Sequence, residues 1–216
     1  MKIFDNVYMK RFIYFNLYVI KGIDGDILID TGFIGMKRNL KKWLDKFNIK
    51  LVIQTHAHAD HVWNTLDIKK WYNCEVAIGS LDFDNVGKFI DTIPSKSNYN
   101  LWTKLMHFGM KKFIPKKFDV DILLNDNDKI NKYGIELDII SLPGHTNGSI
   151  GIKYNNYLFV GDALVNRNKR VEIAYQNQDN DKANSSYERI IKINSKIIFL
   201  GHDKEIIYDY YLKEKL

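Results

Sequence analysis

The sequence predicts an α/β fold in which two sheets carry helices on their outer faces. Three observations carry that expectation. Strand-like runs rich in β-branched and aromatic residues recur in both halves of the chain. Each half also holds a segment with apolar residues at helical spacing, and no linker-like or low-complexity stretch divides the two. The length of 216 residues suits one domain, residues 1–216, with a sizeable core. A hydrophobic share of 45% against 27% charged argues against disorder.

Residues 7–12 and 15–20 alternate as strands, and Ile23-Asp24-Gly25 reads as a turn into a strand over 26–30 that Thr31-Gly32 ends. Met36, Leu40, Trp43, Leu44 and Phe47 recur at helical spacing. The strand expected over 48–54 is mostly apolar, as a central strand with both faces covered would be. A helix over 62–72 and a short strand over 75–78 follow. Residues 79–118 differ: they hold Pro94, Pro115, several Ser and Asn, and an amphipathic stretch over 101–113, as a lid or insertion over an active site would. Strand signals resume at 122–124, 130, 135–140, 149–152 and 157–160, and the chain then reads as a helix over 181–193 and a strand over 196–200.

The single cysteine excludes a disulfide framework and a thiolate-cage zinc site. The apolar run around residues 12–20 is broken by Asn16 and is too short to span a membrane. Lys21-Gly22 follows it instead of a small-residue cleavage site, so it makes a poor secretory signal and the expected compartment is the cytoplasm. The net charge of +6 comes from 32 basic against 26 acidic residues. The basic residues are spread in pairs such as Lys41-Lys42 and Lys111-Lys112, a solvated surface and not a nucleic-acid footprint. The expected partner is a small-molecule substrate, with neither membrane nor nucleic acid implied and the oligomeric state open.

The chemistry concentrates in Thr55-His56-Ala57-His58-Ala59-Asp60-His61, which holds three of the six histidines. It follows an apolar strand, and in extended chain residues i and i+2 point the same way, so His56 and His58 can reach one ion. Asp60 and His61 come as the chain turns into the next helix and can face a second position. Ala57 and Ala59 leave room for the converging side chains. Other strand ends offer His145 in Pro143-Gly144-His145-Thr146, Asp162 after Gly161, and His202 after Gly201. Imidazole and carboxylate donors at one rim of a sheet suit divalent metal ions: zinc first, with manganese or iron as alternatives.

These motifs, with Leu28-Ile29-Asp30-Thr31-Gly32, resemble those of the metallo-β-lactamase fold superfamily of metal-dependent hydrolases, over residues 7–203. The resemblance implies a four-layer αββα sandwich with two metal ions at one edge between the sheets. Carried over, His56, His58 and His145 would bind the first ion. Asp60, His61 and His202 would bind the second, Asp162 would bridge them, and Asp30 would orient a ligand without binding metal. Two such ions acidify a bridging water into hydroxide at neutral pH and polarise the oxygen of the scissile group. Asp60 would also act catalytically, orienting the nucleophile or passing a proton to the leaving group.

Within that superfamily, Gly144-His145-Thr146 and Gly161-Asp162-Ala163-Leu164 look most like glyoxalase II, but without its helical C-terminal extension. The cysteine ligand of the best-known zinc β-lactamases is replaced by Asp162. Val165 stands where quorum-signal lactonases carry a tyrosine. The expectation is a dinuclear hydrolase of a small ester, thioester, lactone or phosphodiester. The alternatives are a mononuclear iron persulfide dioxygenase and a metal-binding protein without efficient turnover. Outside the motifs, His107 reads as an ordinary helix-face or lid residue, and Trp102, Phe108 and Phe113 as helix core or the lining of an apolar pocket. Cys74 reads as a small buried apolar residue, and Arg167 and Tyr175 as loop residues without a substrate role.

Overall fold

The computed structural model describes residues 2–94, 109, 111–167, 170–204, 206 and 207. The first sheet is built from β1 (Lys2–Phe4), β2 (Val7–Phe12), β3 (Phe15–Lys21), β4 (Asp26–Ile29), β5 (Ile49–Gln54), β6 (Glu75–Gly79) and β8 (Ile122–Leu124), side by side in chain order. The first four strands pair antiparallel; β4, β5, β6 and β8 run parallel. The crossovers between the parallel strands carry α1 (Lys37–Leu44), then α2 (Ala59–Val62) and α3 (Thr65–Tyr72). The short strand β7 (Ile93–Pro94) lies between β6 and β8 in the chain and pairs outside this sheet.

The second sheet uses β9 (Lys129–Lys132), β10 (Ile135–Ser141), β11 (Ile150–Tyr154) and β12 (Tyr157–Phe159) as an antiparallel meander. A hairpin of β13 (Leu164–Arg167) and β14 (Arg170–Ile173) follows, then β15 (Gln176–Asn177), which pairs with β7. Helix α4 (Asn180–Ile193) leads into β16 (Ile197–Phe199), parallel to β12, and β17 (Ile206–Ile207) closes that edge.

Period-two patterning sorts the strand side chains into layers. Tyr18, Ile20, Ile27, Ile29, Leu51 and Ile53 point inward and meet Leu137, Ile139, Ile152, Phe159 and Phe199 of the second sheet. Their chain neighbours Leu17, Val19, Leu28 and Val52 point the other way, onto Leu40, Trp43 and Leu44 of α1 and Ile68 of α3. On the far side Leu158, Val160, Ile198 and Leu200 pack with Ile190 of α4. Strands β4, β5, β12 and β16 are covered on both faces, which is why they read as mostly apolar runs, whereas β2, β9 and β10 alternate buried with more exposed positions. The layers are helix, sheet, sheet, helix, as expected. No described helix is long and apolar enough to cross a membrane.

Two local expectations are corrected. The single helix over 62–72 is two short helices broken at Asn64, whose side-chain amide donates to the carbonyls of Thr31 (2.8 Å) and Phe33 (3.0 Å). Those bonds tie the break to the loop after β4. Residues 164–167 and 170–173, which gave no strand signal, pair antiparallel as β13 and β14. The amphipathic helix over 101–113 lies mostly outside the described residues, as do Trp102, His107 and Phe108. Of residues 79–118, 80–85 form a 3-10 turn.

The topology brings the chemistry to one rim. Strands β4 and β5 are parallel, so the chain leaves both at the same edge, at Asp30 and at Thr55. In the second sheet β10 and β12 run the same way because each is antiparallel to β11, and β16 is parallel to β12. The loops carrying His145, Asp162 and His202 therefore leave the second sheet at one edge. A bond from the Ile150 N–H to the Thr55 carbonyl, 2.9 Å, joins that edge to the end of β5.

Candidate metal centre

All seven side chains expected to bind metal converge, in two groups. His56, His58 and His145 form one; Asp60, His61, Asp162 and His202 form the other, with the ligand atoms of each group within 4.8 Å of one another. Asp162 stands between the groups. Its Oδ2 lies 3.7 Å from His145 Nε2 and 3.1 Å from His202 Nε2, and its Oδ1 lies 3.3 Å from His61 Nε2. Asp60 Oδ2 lies 3.3 Å from His202 Nε2.

The protein sets which ring nitrogen of each histidine faces inward. Nδ1 of His61 meets Asp30 Oδ2 at 2.8 Å, Nδ1 of His145 meets the Gln176 carbonyl at 2.8 Å, and Nδ1 of His202 meets the Tyr14 carbonyl at 2.8 Å. Nδ1 of His56 lies 3.1 Å from Thr55 Oγ1. In those four rings Nε2 is left for the centre. His58 is turned the other way, with Nδ1 2.8 Å from His145 Nε2. An outer partner on the far nitrogen is the usual arrangement around metal-binding imidazoles, because it fixes ring orientation and tautomer.

The donor set fits divalent cations on a direct observation. Nε2 of His56, Nε2 of His61 and Oδ1 of Asp162 are buried and make no well-aligned hydrogen bond, the last two facing each other at 3.3 Å. Buried polar atoms left unpaired cost roughly 1–3 kcal/mol each, and more when charged, so three at one spot call for a ligand that satisfies them together. Imidazole nitrogen and carboxylate oxygen are the donors zinc and its neighbours take.

The electrostatics divide the groups in the same way. Burial, and next the other imidazoles, holds His56 well below its ordinary range and draws His58 down to about 3. Burial also lowers His145. The neutral form is favoured in all three, the form in which an imidazole nitrogen can donate a lone pair to a cation. Burial acts in the same direction on His61 and His202, but there the carboxylates prevail: Asp162, Asp30 and Asp60 raise His61 to about 10, and Asp162 and Asp60 raise His202 well above its usual value. Against their own burial, His61 and His202 hold Asp60 and Asp162 below the ordinary carboxylate range. Protons on two histidines thus balance the carboxylates, and a bound cation would take over that role.

A cavity of about 190 Å³ opens onto His58, Asp60, His145 and Asp162, with walls from Lys88, Phe89, Ile90, Thr92, Phe113 and Gln176. Five of those wall residues belong to the 79–118 stretch. Phe113, for which helix core and pocket lining were the two readings, lines this cavity with its ring 5.3 Å from Phe33 and 6.3 Å from Trp63. The apolar reading of Cys74 holds: it is buried, and burial pushes its thiol up to about 11. Tyr175 lies outside the cavity lining. The motifs gave no sign of Asp82, a buried carboxylate behind the three-histidine group. Nor did they show the Tyr14 and Gln176 carbonyls, which any residue type could supply.

A family model described as the metallo-beta-lactamase superfamily matches residues 15–202. The chain is 34% identical over 152 residues to a protein of Methanocaldococcus jannaschii named a probable metallo-hydrolase, covering 69% of this chain and 66% of that one. It is 29% identical over 171 residues to the hydroxyacylglutathione hydrolase of Prochlorococcus marinus, covering 75% of this chain and 55% of the relative. The matched stretch thus spans less than two thirds of either relative's own length. Among solved structures, the subclass B3 metallo-beta-lactamase BJP-1 of Bradyrhizobium japonicum superposes with a TM-score of 0.70 at 20% identity, over 94% of this chain and 76% of that one, a likeness of fold. With a match running from the start of β3 to His202, and with both side-chain groups at one rim between two packed sheets, this chain belongs to the metallo-beta-lactamase superfamily.

Proposed function

We propose that this protein is a dinuclear metal-dependent hydrolase of a small ester, thioester, lactone or phosphodiester. The observation that carries the reading is the pair of side-chain groups with three buried donor atoms between them that make no well-aligned hydrogen bond. His56, His58 and His145 would hold one divalent ion; Asp60, His61 and His202 would hold the other, and Asp162 would reach both. Zinc is the first choice of metal, then manganese or iron. When bound, such ions supply an acidified water at neutral pH and positive charge at the oxygen where negative charge develops.

The remaining work falls to the chain. Asp60 lines the cavity and would orient the attacking water and pass a proton to the leaving group. Phe89, Ile90 and Phe113 form an apolar wall that shields the scissile group, while Thr92 and Gln176 offer polar contacts. Lys88, Phe89, Ile90, Thr92 and Phe113, the described residues of the 79–118 stretch that line the cavity, would roof the site within one domain. The small cavity favours a compact acyl or phosphoryl group at the metals.

Metal content by mass spectrometry, on protein purified without added metal or chelator, tests this first. About two equivalents of zinc, manganese or iron per chain, with hydrolysis on an ester, thioester, lactone and phosphodiester panel, is the expected result. His58→Ala and Asp162→Ala should abolish turnover while the protein stays folded; wild-type rates in both would overturn the reading. One equivalent of iron with oxygen uptake on a persulfide would move the assignment to the dioxygenase. Full metal occupancy without hydrolysis would leave a binding protein. Four side chains in the second group support two ions over one.

A further inference from the structure

We propose that Asp82 is the positioning residue of the three-histidine group, and of that group alone. It sits in the 3-10 turn Ser80–Asn85 after β6, is 0% exposed, and touches none of the seven side chains by hydrogen bond. What it holds is the backbone on both sides of the site. Its Oδ2 accepts the N–H of Ala57 at 2.8 Å, and Ala57 lies between His56 and His58. The same oxygen accepts the Thr146 hydroxyl at 2.8 Å, and Oδ1 accepts the N–H of Gly148 at 3.0 Å; these two residues follow His145 in its loop. One carboxylate therefore joins the two chain segments, 87 residues apart at His58 and His145, that supply all three imidazoles. Asn85 Nδ2 adds a fourth bond at 3.2 Å.

The local sequence is fitted to this contact. Thr146 has one hydroxyl proton and gives it to Asp82, so Ser149 Oγ, 2.7 Å away, is left to donate back to Thr146 Oγ1. Ser149 Oγ in turn accepts the Thr146 N–H at 3.1 Å. Gly148 is glycine because a Cβ there would overlap the backbone nitrogen and the Cβ of Asp82. Among the described residues Asp82 makes no hydrogen bond to the other group, whose His61 is held by Asp30 instead. The two halves thus have separate anchors. A buried charge-assisted clamp of this kind is the sort of outer contact whose loss weakens metal binding ten- to a hundredfold.

This inference rests on reading the groups as metal sites, and the test separates the two claims. Metal-free full-length protein is titrated with zinc by calorimetry, and His202→Ala identifies the step belonging to the second group. Asp82→Asn keeps the shape but turns an acceptor into a donor facing donors. It should weaken the step that His202→Ala leaves intact by about ten- to a hundredfold, with the other step within about threefold of wild type. Equal zinc affinity in wild type and Asp82→Asn, or an equal loss in both steps, overturns the inference. Absence of zinc binding by the wild type overturns the metal reading and this inference with it. Should Asp82→Asn not fold, Thr146→Val removes one donor to the same oxygen. It should weaken the same step several-fold, and unchanged zinc affinity in it overturns the inference.

Discussion

Oδ2 of Asp30 lies 2.8 Å from Nδ1 of His61, with each side chain 3% exposed, so the ring that faces Asp162 is held from behind by a buried carboxylate. Asp30 also accepts the Thr55 N–H at 2.8 Å and the Thr55 hydroxyl at 2.9 Å, locking the end of β5 to the end of β4. Its φ of +60 is a left-handed conformation that Asp and Asn tolerate and most residues do not. Asp30→Ala strips the buried His61 and Thr55 donors of their acceptor and should cost about 3–5 kcal/mol in urea unfolding of the metal-free protein. Asp30→Asn keeps the backbone and should cost less. A free-energy change under about 0.5 kcal/mol for Asp30→Ala, the range of an ordinary surface change, would show that this anchor carries no stability.

Gly201 marks a second close approach. Its N–H donates to the Gly161 carbonyl at 2.8 Å and its carbonyl accepts the Asn16 N–H at 2.8 Å, so the backbone here cannot back away. A Cβ would overlap Asp162 Oδ1 and His61 Cε1. Gly201→Ala should therefore keep the fold, lose about 1–3 kcal/mol to overpacking, and lose most of its metal and hydrolytic rate. Wild-type metal content in this variant, by mass spectrometry, would mean the site accommodates the methyl and the glycine is there for another reason.

How much of this was legible follows from what kind of group does each job. The seven converging side chains were readable because only 6 histidines occur in 216 residues, so three of them in 55–61, and a His or Asp beside Gly at three other strand ends, stand out from the background. The layers were readable from alternation in strands such as 7–12 and from the mostly apolar run of the central strand over 48–54. Asp82 was not, because a lone carboxylate in a stretch rich in Asp has no signature until the turn after β6 brings it against Ala57 and Gly148. The acceptors behind His145 and His202 are backbone carbonyls and leave no trace in residue type. The β13–β14 hairpin was missed for a related reason: Leu164-Val165-Asn166-Arg167 is short and polar at its end, and pairing with β14 decides it. The helix break at Asn64 depends on carbonyls of a distant loop.

Phe199 is the centre of the inter-sheet core. It is fully buried, stacked on Phe159 with centroids 4.8 Å apart, and meets Phe4 at 5.2 Å and Tyr18 at 5.1 Å in tilted or edge contacts. Phe199→Ala should cost about 3–5 kcal/mol by lost burial and the cavity left behind, and Phe199→Leu distinctly less. The following residue matters to the site: the Leu200 carbonyl accepts both the Tyr18 hydroxyl and the Asn16 amide, two residues before His202. Metal retention in Phe199→Ala should therefore fall along with urea stability. A variant that loses stability but holds metal as tightly as wild type would show that the rim is decoupled from the core.

Asp126 gives a pH prediction away from the metal groups. It precedes β9, accepts the Ser141 N–H at 2.7 Å and pairs with Arg189 of α4 at 2.9 Å, so it ties that helix to the end of β10. Partial burial alone would raise its pKa, but the Ser141 N–H and the Arg189 guanidinium outweigh it and hold the carboxyl below its ordinary value. A carboxylate with a depressed folded pKa contributes stability that is full above the unfolded value, about 3.9, and that is lost as pH falls through the folded value. With side chains 36% and 40% exposed, solvent screening limits the pair to less than about 1 kcal/mol. Asp126→Asn should therefore be slightly less stable than wild type at pH 6, and the gap should close towards pH 3. Urea unfolding of both proteins across that range checks it, and a gap that stays constant with pH would rule out the ionised pair as its source.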